Sequence, residues 1–446
     1  MLMRRGKRQK KYLFRFPKYL IIALSPLYFY NVYSQPKINS FAPTSGSSGT
    51  TVTISGTGFS TTATDDVVFF GATKAVVNSA TTTSLNVTVP VGASYFPISV
   101  TTGYLTAYSS KSFTPTFTGG GTLDAHSFAP QIDSLTGNTP YSSAIADFDG
   151  DGRPDVAVVD GGYPYNLLVF RNNGEVNQIS FDAPVSFATG YVPFGIAVGD
   201  INGDGKPDIV ITNSGVGSNR IGIYKNVSQP GSINFTLSLQ ASTQSDPMAV
   251  AIADLDLDGM PDIVVANFSS NTISIFRNTS SNGSIHLNPQ VVLNTGPNPI
   301  SLELGDIDGD GKPDIVVGNS GSDTINIFRN ISTTGSLGLT PATGIITNGY
   351  QIAQAEGDID GDGKPDLVLL GPGDTVSVLL NNSTPGTFEF ADPVKFSVTA
   401  APATITLSDL DGDGKPDIVV GSGETSDIYI YCTIIALQEL RNLLLP

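Results

Sequence analysis

Asp147-Phe-Asp-Gly-Asp-Gly-Arg-Pro-Asp155 sets acidic side chains at its first, third, fifth and ninth positions, with glycines between them and a proline before the last. Five further copies begin at Asp200, Asp254, Asp306, Asp358 and Asp409, at intervals of 53, 54, 52, 52 and 51 residues. A fixed period of this size marks a repeat architecture, in which each unit can bury its apolar face only against its neighbours. After the loop comes a β-branched run such as Asp314-Ile-Val-Val317, then a Gly/Ser/Asn turn, then an alternating run such as Ile325-Asn-Ile-Phe-Arg-Asn330. A large apolar residue stands 19 positions before every loop: Phe128, Phe181, Phe235, Leu287, Leu339 and Phe390. Counting one strand around that residue and one leading into the loop, each unit of ~52 residues predicts four short strands, the content of one propeller blade.

The expected fold is therefore all-β: a β-propeller of six visible four-stranded repeats, with six or seven blades. Ser127 to Gly137 matches the strand that elsewhere follows the Phe-Arg-Asn run, and the last repeat lacks that strand after Tyr431. The first strand is thus expected to complete the last blade and close a six-bladed ring; a seven-bladed ring with a shortened C-terminus is the alternative. From Cys432 the pattern breaks off into a Leu-rich tail.

Composition agrees with an all-β chain. There are 48 Gly and 29 Pro among 446 residues, 40% are hydrophobic and only 14% are charged, which points to many turns between packed strands. The first 34 residues differ from the rest: eight Lys and Arg between Arg4 and Lys18 precede an apolar run from Tyr19 to Tyr30, with Val32 and Ser34 as small residues before Gln35. This reads as a secretory signal peptide, with an uncleaved anchor as the alternative. The run is shorter than the ~20 residues of a membrane span, and no later stretch reaches that length. Its removal leaves 15 basic against 40 acidic side chains, a net charge of −25. Such a surface disfavours nucleic acid. Cys432 is the single cysteine, so an exported chain must be held by packing or by metal in place of an internal disulfide.

From residue 127 to 432 the chain resembles the FG-GAP or VCBS repeat family, which includes the head of integrin α subunits. The resemblance implies a propeller of about seven blades with cations in hairpin loops on one face. Upstream, Pro36-Lys-Ile-Asn-Ser-Phe-Ala-Pro-Thr-Ser-Gly46, Gly49-Thr-Thr-Val-Thr-Ile-Ser-Gly-Thr-Gly-Phe59, Val68-Phe-Phe-Gly71 and Val89-Pro90 resemble an IPT/TIG domain, an immunoglobulin-like sandwich. Alternating runs such as Thr51-Val-Thr-Ile54 and Ser84-Leu-Asn-Val-Thr-Val89, parted by Gly and Pro, independently read as sandwich strands. The expected order is signal peptide 1–34, sandwich 35–117, Gly-rich linker 118–126, propeller 127–432 and an atypical tail 433–446.

Calcium takes six to eight hard oxygen ligands at about 2.3–2.6 Å. A loop with carboxylates at positions 1, 3, 5 and 9 and a backbone carbonyl at 7 wraps oxygens round one point. Its first half matches the EF-hand spacing, but the ninth residue, not the twelfth, is the closing acid, and strands flank it. Six structural Ca²⁺ sites are expected. The side-chain ligands are Asp147, Asp149, Asp151 and Asp155; Asp200, Asn202, Asp204 and Asp208; Asp254, Asp256, Asp258 and Asp262; Asp306, Asp308, Asp310 and Asp314; Asp358, Asp360, Asp362 and Asp366; and Asp409, Asp411, Asp413 and Asp417. The carbonyls come from Arg153, Lys206, Met260, Lys312, Lys364 and Lys415. Sites two and three are expected to be weaker, because Asn202 is neutral and Leu257 replaces a glycine where a positive φ would strain it. The competing reading makes each Asp-Gly pair an ordinary turn with solvated acids. Against it stands the repulsion of 23 Asp carboxylates gathered three or four to a loop.

Three functional classes follow. A binding or adhesion module for glycan or extracellular protein, secreted or at the cell surface, fits an exported sandwich joined to a propeller, with Tyr163, Tyr165, Tyr191 and Tyr350 in connections where they could stack on sugars. A polysaccharide-active enzyme is the second class. His126 and His286 are the only histidines, no catalytic motif accompanies them, and nearly all paired carboxylates are committed to the loops. The third is a calcium-stabilised spacer of a larger surface protein.

Overall fold

The computed structural model describes residues 34–116, 136–175, 178–215, 219–347, 349–371, 375–398, 402–410 and 415–422. The signal-peptide reading, the Gly-rich linker, Phe128, most of the strand expected from Ser127 to Gly137, Asp411, Asp413 and the tail lie outside these residues.

The first eight strands are β1 (Lys37–Ala42), β2 (Ser45–Gly46), β3 (Thr51–Thr57), β4 (Asp66–Phe70), β5 (Thr73–Thr81), β6 (Ser84–Thr88), β7 (Phe96–Thr102) and β8 (Leu105–Pro115). They hydrogen-bond in the order β1-β3-β6-β5-β4-β7-β8-β2. Alternation dictates the inner face: Val52 and Ile54 are buried while Thr51 and Thr53 are exposed, as a strand's period of two requires. The core is closed by Val68, Phe70, Leu85, Val87, Ile98, Val100 and Phe113, with the Phe113 ring set edge-on to Phe70 at 4.9 Å.

Each repeat then forms its own sheet. In the first blade the strands Pro140–Ala146, Asp155–Asp160, Asn166–Phe170 and Val185–Ala188 pair antiparallel in sequence order. Four more complete four-stranded sheets follow, then Pro402–Ser408 paired with Asp417–Ser422. In blades one, three, four and five the apolar landmark does not lie within the outer strand as expected. Phe181, Leu287, Leu339 and Phe390 form single bridges to Asn172, Asn278, Asn330 and Asn381, and the outer strand starts four residues later. The landmark closes the end of the third strand.

Blades touch through their first strands and share cores. The residue just before each loop is small, because the side chain two before the next loop rests on it. A Cβ on Gly199 would come 3.1 Å from Ile252, and one on Gly357 would come 2.7 Å from Leu407. Ile196 and Val198 pack into one such core, and Leu302 and Leu304 into another. Between blades six and one this packing is absent among the described residues. Ile145, which occupies the position of Ile252, is 56% exposed, and Thr404 and Thr406 on the facing side of blade six are exposed as well. Most of the strand expected to close the ring, Ser127 to Gly137, and the end of blade six lie outside the described residues.

The sandwich is seated on the ring at the ends that carry the aspartate loops. The Asp147 amide donates to the Ala72 carbonyl (2.8 Å), and the Thr106 amide to the Gly259 carbonyl (2.7 Å). The Gln35 side chain donates to the Leu257 carbonyl (2.8 Å), Thr101 Oγ1 to Asp200 Oδ2 (3.2 Å), and the Asp358 amide to Tyr95 Oη (3.2 Å). Loops one, two, three and five are all touched.

Candidate metal centres and the free face of the ring

Every loop joins the first strand of its blade to the second, and backbone amides aim its carboxylates. In loop one, Gly152 N–H donates to Asp147 Oδ2 (2.9 Å), Asp151 N–H to Asp149 Oδ1 (3.0 Å) and Phe148 N–H to Asp155 Oδ2 (3.0 Å). Asn172 N–H takes the other oxygen of Asp155 at 2.7 Å. Turns this tight need positive φ at the fourth position, where Gly150, Gly203, Gly309 and Gly361 lie between 73° and 80° and Leu257 lies at 59°. Leu257 therefore carries the left-handed conformation that its sequence position implied, at the cost an L-residue incurs there.

Ligand atoms of positions 1, 3 and 9 come within 4.8 Å of one another in four loops: Asp147, Asp149 and Asp155; Asp254, Asp256 and Asp262; Asp306, Asp308 and Asp314; Asp358, Asp360 and Asp366. Loop three keeps this arrangement despite Leu257. In loop two, Asn202 stands at position 3 and is buried. The fifth-position acids stand apart from these groups; Asp151 pairs with Arg153 and Arg171, Asp258 with Arg277, and Asp310 with Lys312 and Arg329.

The donors suit a hard cation. Asp147 Oδ1, Asp256 Oδ1 and Asp306 Oδ1 are buried without a hydrogen-bond partner, a costly state for a carboxylate oxygen. Burial, reinforced by neighbouring carboxylates, pushes Asp147 up to about 6, Asp155, Asp254, Asp314 and Asp366 to about 7 and Asp262 to about 8. A loop without a counter-charge thus resists ionisation. Oxygen-only donors around such a charge are what calcium takes.

One set of residues was not singled out from the sequence. In blades two to five the asparagine at the end of the third strand ties two loops together. Asn330 Nδ2 donates to the carbonyls of Pro313 in its own loop (2.9 Å) and Leu255 in the preceding one (2.8 Å). Asn226, Asn278 and Asn381 repeat this pattern. The basic residue before it reaches the third-position acid, as Arg171 does to Asp149 and Arg329 to Asp308, both at 2.7 Å, and as Arg277 does to Asp256. The recurring Arg-Asn pair was the available signal; blade five has Leu380 in place of the arginine.

The opposite ends of the strands form the free face. There Tyr163 and Tyr165, in the turn between the second and third strands of blade one, meet Tyr191 from the connection to blade two. Ring centroids are 5.9 Å apart for Tyr163 and Tyr165, and 5.0 Å for Tyr165 and Tyr191. Tyr141 stacks on Phe194 at 4.8 Å and lies against Gly161 of the same turn. Buried Asp160 fixes that turn by accepting from the amides of Thr139 (2.8 Å) and Gly162 (3.0 Å). Tyr163 is 80% exposed and Tyr191 51%. Tyr350 belongs to the connection into blade five and stands apart from this group.

Residues 147–211, 254–317 and 358–420 match the FG-GAP-like repeat family, residues 298–337 match the FG-GAP repeat, and residues 36–118 match the IPT/TIG domain. Integrin alpha-5 of Xenopus laevis is 25% identical over 232 residues, covering 45% of this chain and 22% of the relative; the chain thus spans about a fifth of the length of that protein. Among solved structures, an auxiliary nutrient binding protein from Bacteroides ovatus is 15% identical, with 87% of this chain and 96% of that one covered and a TM-score of 0.39. A protein from Lactobacillus plantarum is 14% identical over 83% and 92% of the two chains, with a TM-score of 0.47. The ring thus carries FG-GAP-like repeats, and an IPT/TIG domain stands ahead of them.

Proposed function

We propose that this protein is an exported, calcium-stabilised binding module that takes a glycan or an extracellular protein on the free face of its ring, around Tyr163, Tyr165 and Tyr191. The observation that carries this reading is the division of the two faces. The sandwich rests on the aspartate loops, while the opposite face presents a cluster of aromatic rings to solvent. Exposed aromatic rings grouped in this way offer flat apolar area at low entropic cost and a hydroxyl for hydrogen bonding. Calcium in the loops holds the blades; it does not meet the ligand. The basic and apolar first 34 residues support export, and a single cysteine leaves packing and metal to hold an exported chain.

The test is a glycan and matrix-protein binding screen on the full chain, repeated with Tyr163→Ala/Tyr191→Ala. The double variant should bind any ligand found at least tenfold more weakly, a loss of about 1.4 kcal/mol, at an unchanged melting temperature because both rings are largely exposed. Undiminished binding by the variant would move the ligand site elsewhere.

A further inference from the structure

The two loops that depart from the repeat pattern, with Asn202 in loop two and Leu257 in loop three, are the two that lie under the β7–β8 hairpin of the sandwich. That hairpin turns through Gly103 and Tyr104, at φ of 59° and 70°. It is seated closely. A Cβ on Gly203 would lie 2.0 Å from the Tyr104 carbonyl oxygen, and one on Gly259 would lie 3.1 Å from Leu105. Beside the hairpin, a Cβ on Gly205 would lie 2.9 Å from Val67 of β4. The corresponding glycines of loop four, Gly309 and Gly311, would meet nothing within 4 Å.

The contacts reach the groups that aim the carboxylates. In loop two, Thr101 Oγ1 donates to Asp200 Oδ2 (3.2 Å), the oxygen that also accepts from the Gly205 amide (2.8 Å). Thr101 and its cross-strand partner Thr106 are buried, with hydroxyls 2.8 Å apart. In loop three two peptide groups relay the contact. The carbonyl of Leu257 accepts from Gln35 Nε2 (2.8 Å), and the N–H of the same peptide group, on Asp258, donates to Asp254 Oδ1 (3.0 Å). The carbonyl of Gly259 accepts from the Thr106 amide (2.7 Å), and the N–H across that peptide, on Met260, donates to Asp258 Oδ1 (2.9 Å). A peptide polarised at its oxygen is the stronger donor at its nitrogen.

We infer that Thr101, Gln35 and the Thr106 amide are positioning groups for the cation sites of loops two and three, so that seating the sandwich and binding Ca²⁺ in those loops are one coupled equilibrium. The inference rests on the reading of the loops as calcium sites. Groups that orient a ligand from outside raise the affinity of the site, and here they brace the loop with one carboxylate fewer and the loop that carries a strained leucine. Coupling of this kind is reciprocal: the sandwich tightens Ca²⁺ in these two loops, and Ca²⁺ there holds the sandwich down by the same factor. Loop four stands outside it, since its carboxylates accept hydrogen bonds from the ring alone among the described residues.

Calorimetric titration of CaCl₂ into the full chain, first freed of metal, compares the parent with Gln35→Met/Thr101→Val, which changes no loop residue. Two binding events should weaken about tenfold, the effect of losing a group that orients a metal ligand, and the others should hold. Equal affinities throughout, or the same weakening at every event, would overturn the inference while leaving the loops as calcium sites. A parent that binds no calcium would refute the reading of the loops, and the inference with it. Hydrogen exchange at the Thr106 amide is the second readout, because the Gly259 carbonyl protects that amide while the sandwich is seated. Calcium should slow this exchange about tenfold or more in the parent and in Asp308→Asn, but not in Asp200→Asn/Asp254→Asn. No slowing in the parent, or its loss in Asp308→Asn as well, would overturn the coupling. This measurement leaves the sandwich unaltered, so it decides the matter should Gln35→Met/Thr101→Val fail to fold.

Discussion

Asn330→Ala cuts the tie between two neighbouring blades at one atom group. The side chain is fully buried. Its Nδ2 donates to the Leu255 carbonyl at 2.8 Å and the Pro313 carbonyl at 2.9 Å, and its Oδ1 accepts from the Ser332 amide at 2.9 Å. Each such bond contributes about 1 kcal/mol net, and more when its loss strands a buried partner. Three together put the destabilisation at about 3–4 kcal/mol. The Asn330 backbone amide keeps its bond to Asp314 Oδ1 at 2.8 Å, so the loop carboxylate remains aimed and the loss reports the inter-blade tie. Urea unfolding at saturating CaCl₂, followed by tyrosine fluorescence and far-ultraviolet circular dichroism, gives the change in midpoint; the two probes check that one transition is being read. A loss below about 1 kcal/mol would refute the view that this asparagine couples adjacent loops. Asn278→Ala, with the same contacts to Ile201 and Pro261, should behave alike.

Two further outcomes follow from the loops. The carboxyls of Asp155, Asp262, Asp314 and Asp366 are raised in the folded, metal-free chain by burial first and neighbouring charge second. A raised carboxyl binds its proton more tightly when folded, so its contribution is present in full below the ordinary pKa near 4 and is lost as pH climbs through about 7 to 8. With chelator present, unfolding midpoints should fall between pH 5 and pH 8; a rise over that range would contradict the assignment. Gly309→Ala meets no atom within 4 Å but must hold a φ of 75°, so it should cost about 1–2 kcal/mol in denaturant unfolding. Leu257→Gly should be neutral or stabilising for the same reason, whereas a clear loss would show that the Leu257 side chain contributes more than its strain.

Much of this fold is legible in the sequence because its period is strict. The loop fixes where the first strand ends and the second begins, and the all-buried second strands, such as Asp262–Asn267 and Asp314–Asn319, appear as unbroken β-branched runs. The need for positive φ at Leu257 was also readable from the glycines that replace it elsewhere. The seat of the sandwich was not, because it is made largely by backbone carbonyls at Ala72, Leu257 and Gly259, which any sequence supplies. Nor was the polar seam between blades four and five: Glu303 and Glu356 read as ordinary strand acids until the packing of adjacent blades lays Glu356 over Gly305 and brings the two carboxyls near each other. In blades one, three, four and five the apolar landmark stands one element further in than expected, bridging to the end of the third strand, whereas Phe235 of blade two does begin the outer strand.

Thermal unfolding of the full chain with and without calcium tests the loop chemistry most directly. An ion bound only by the folded chain adds RT ln(1 + [L]/Kd) at each site, about 2.7 kcal/mol at a hundredfold excess over Kd, so several loops together should raise the melting temperature by many degrees. Chelator should reverse the rise, and CaCl₂ should restore it. A melting temperature that does not move between chelator and excess calcium would contradict the account.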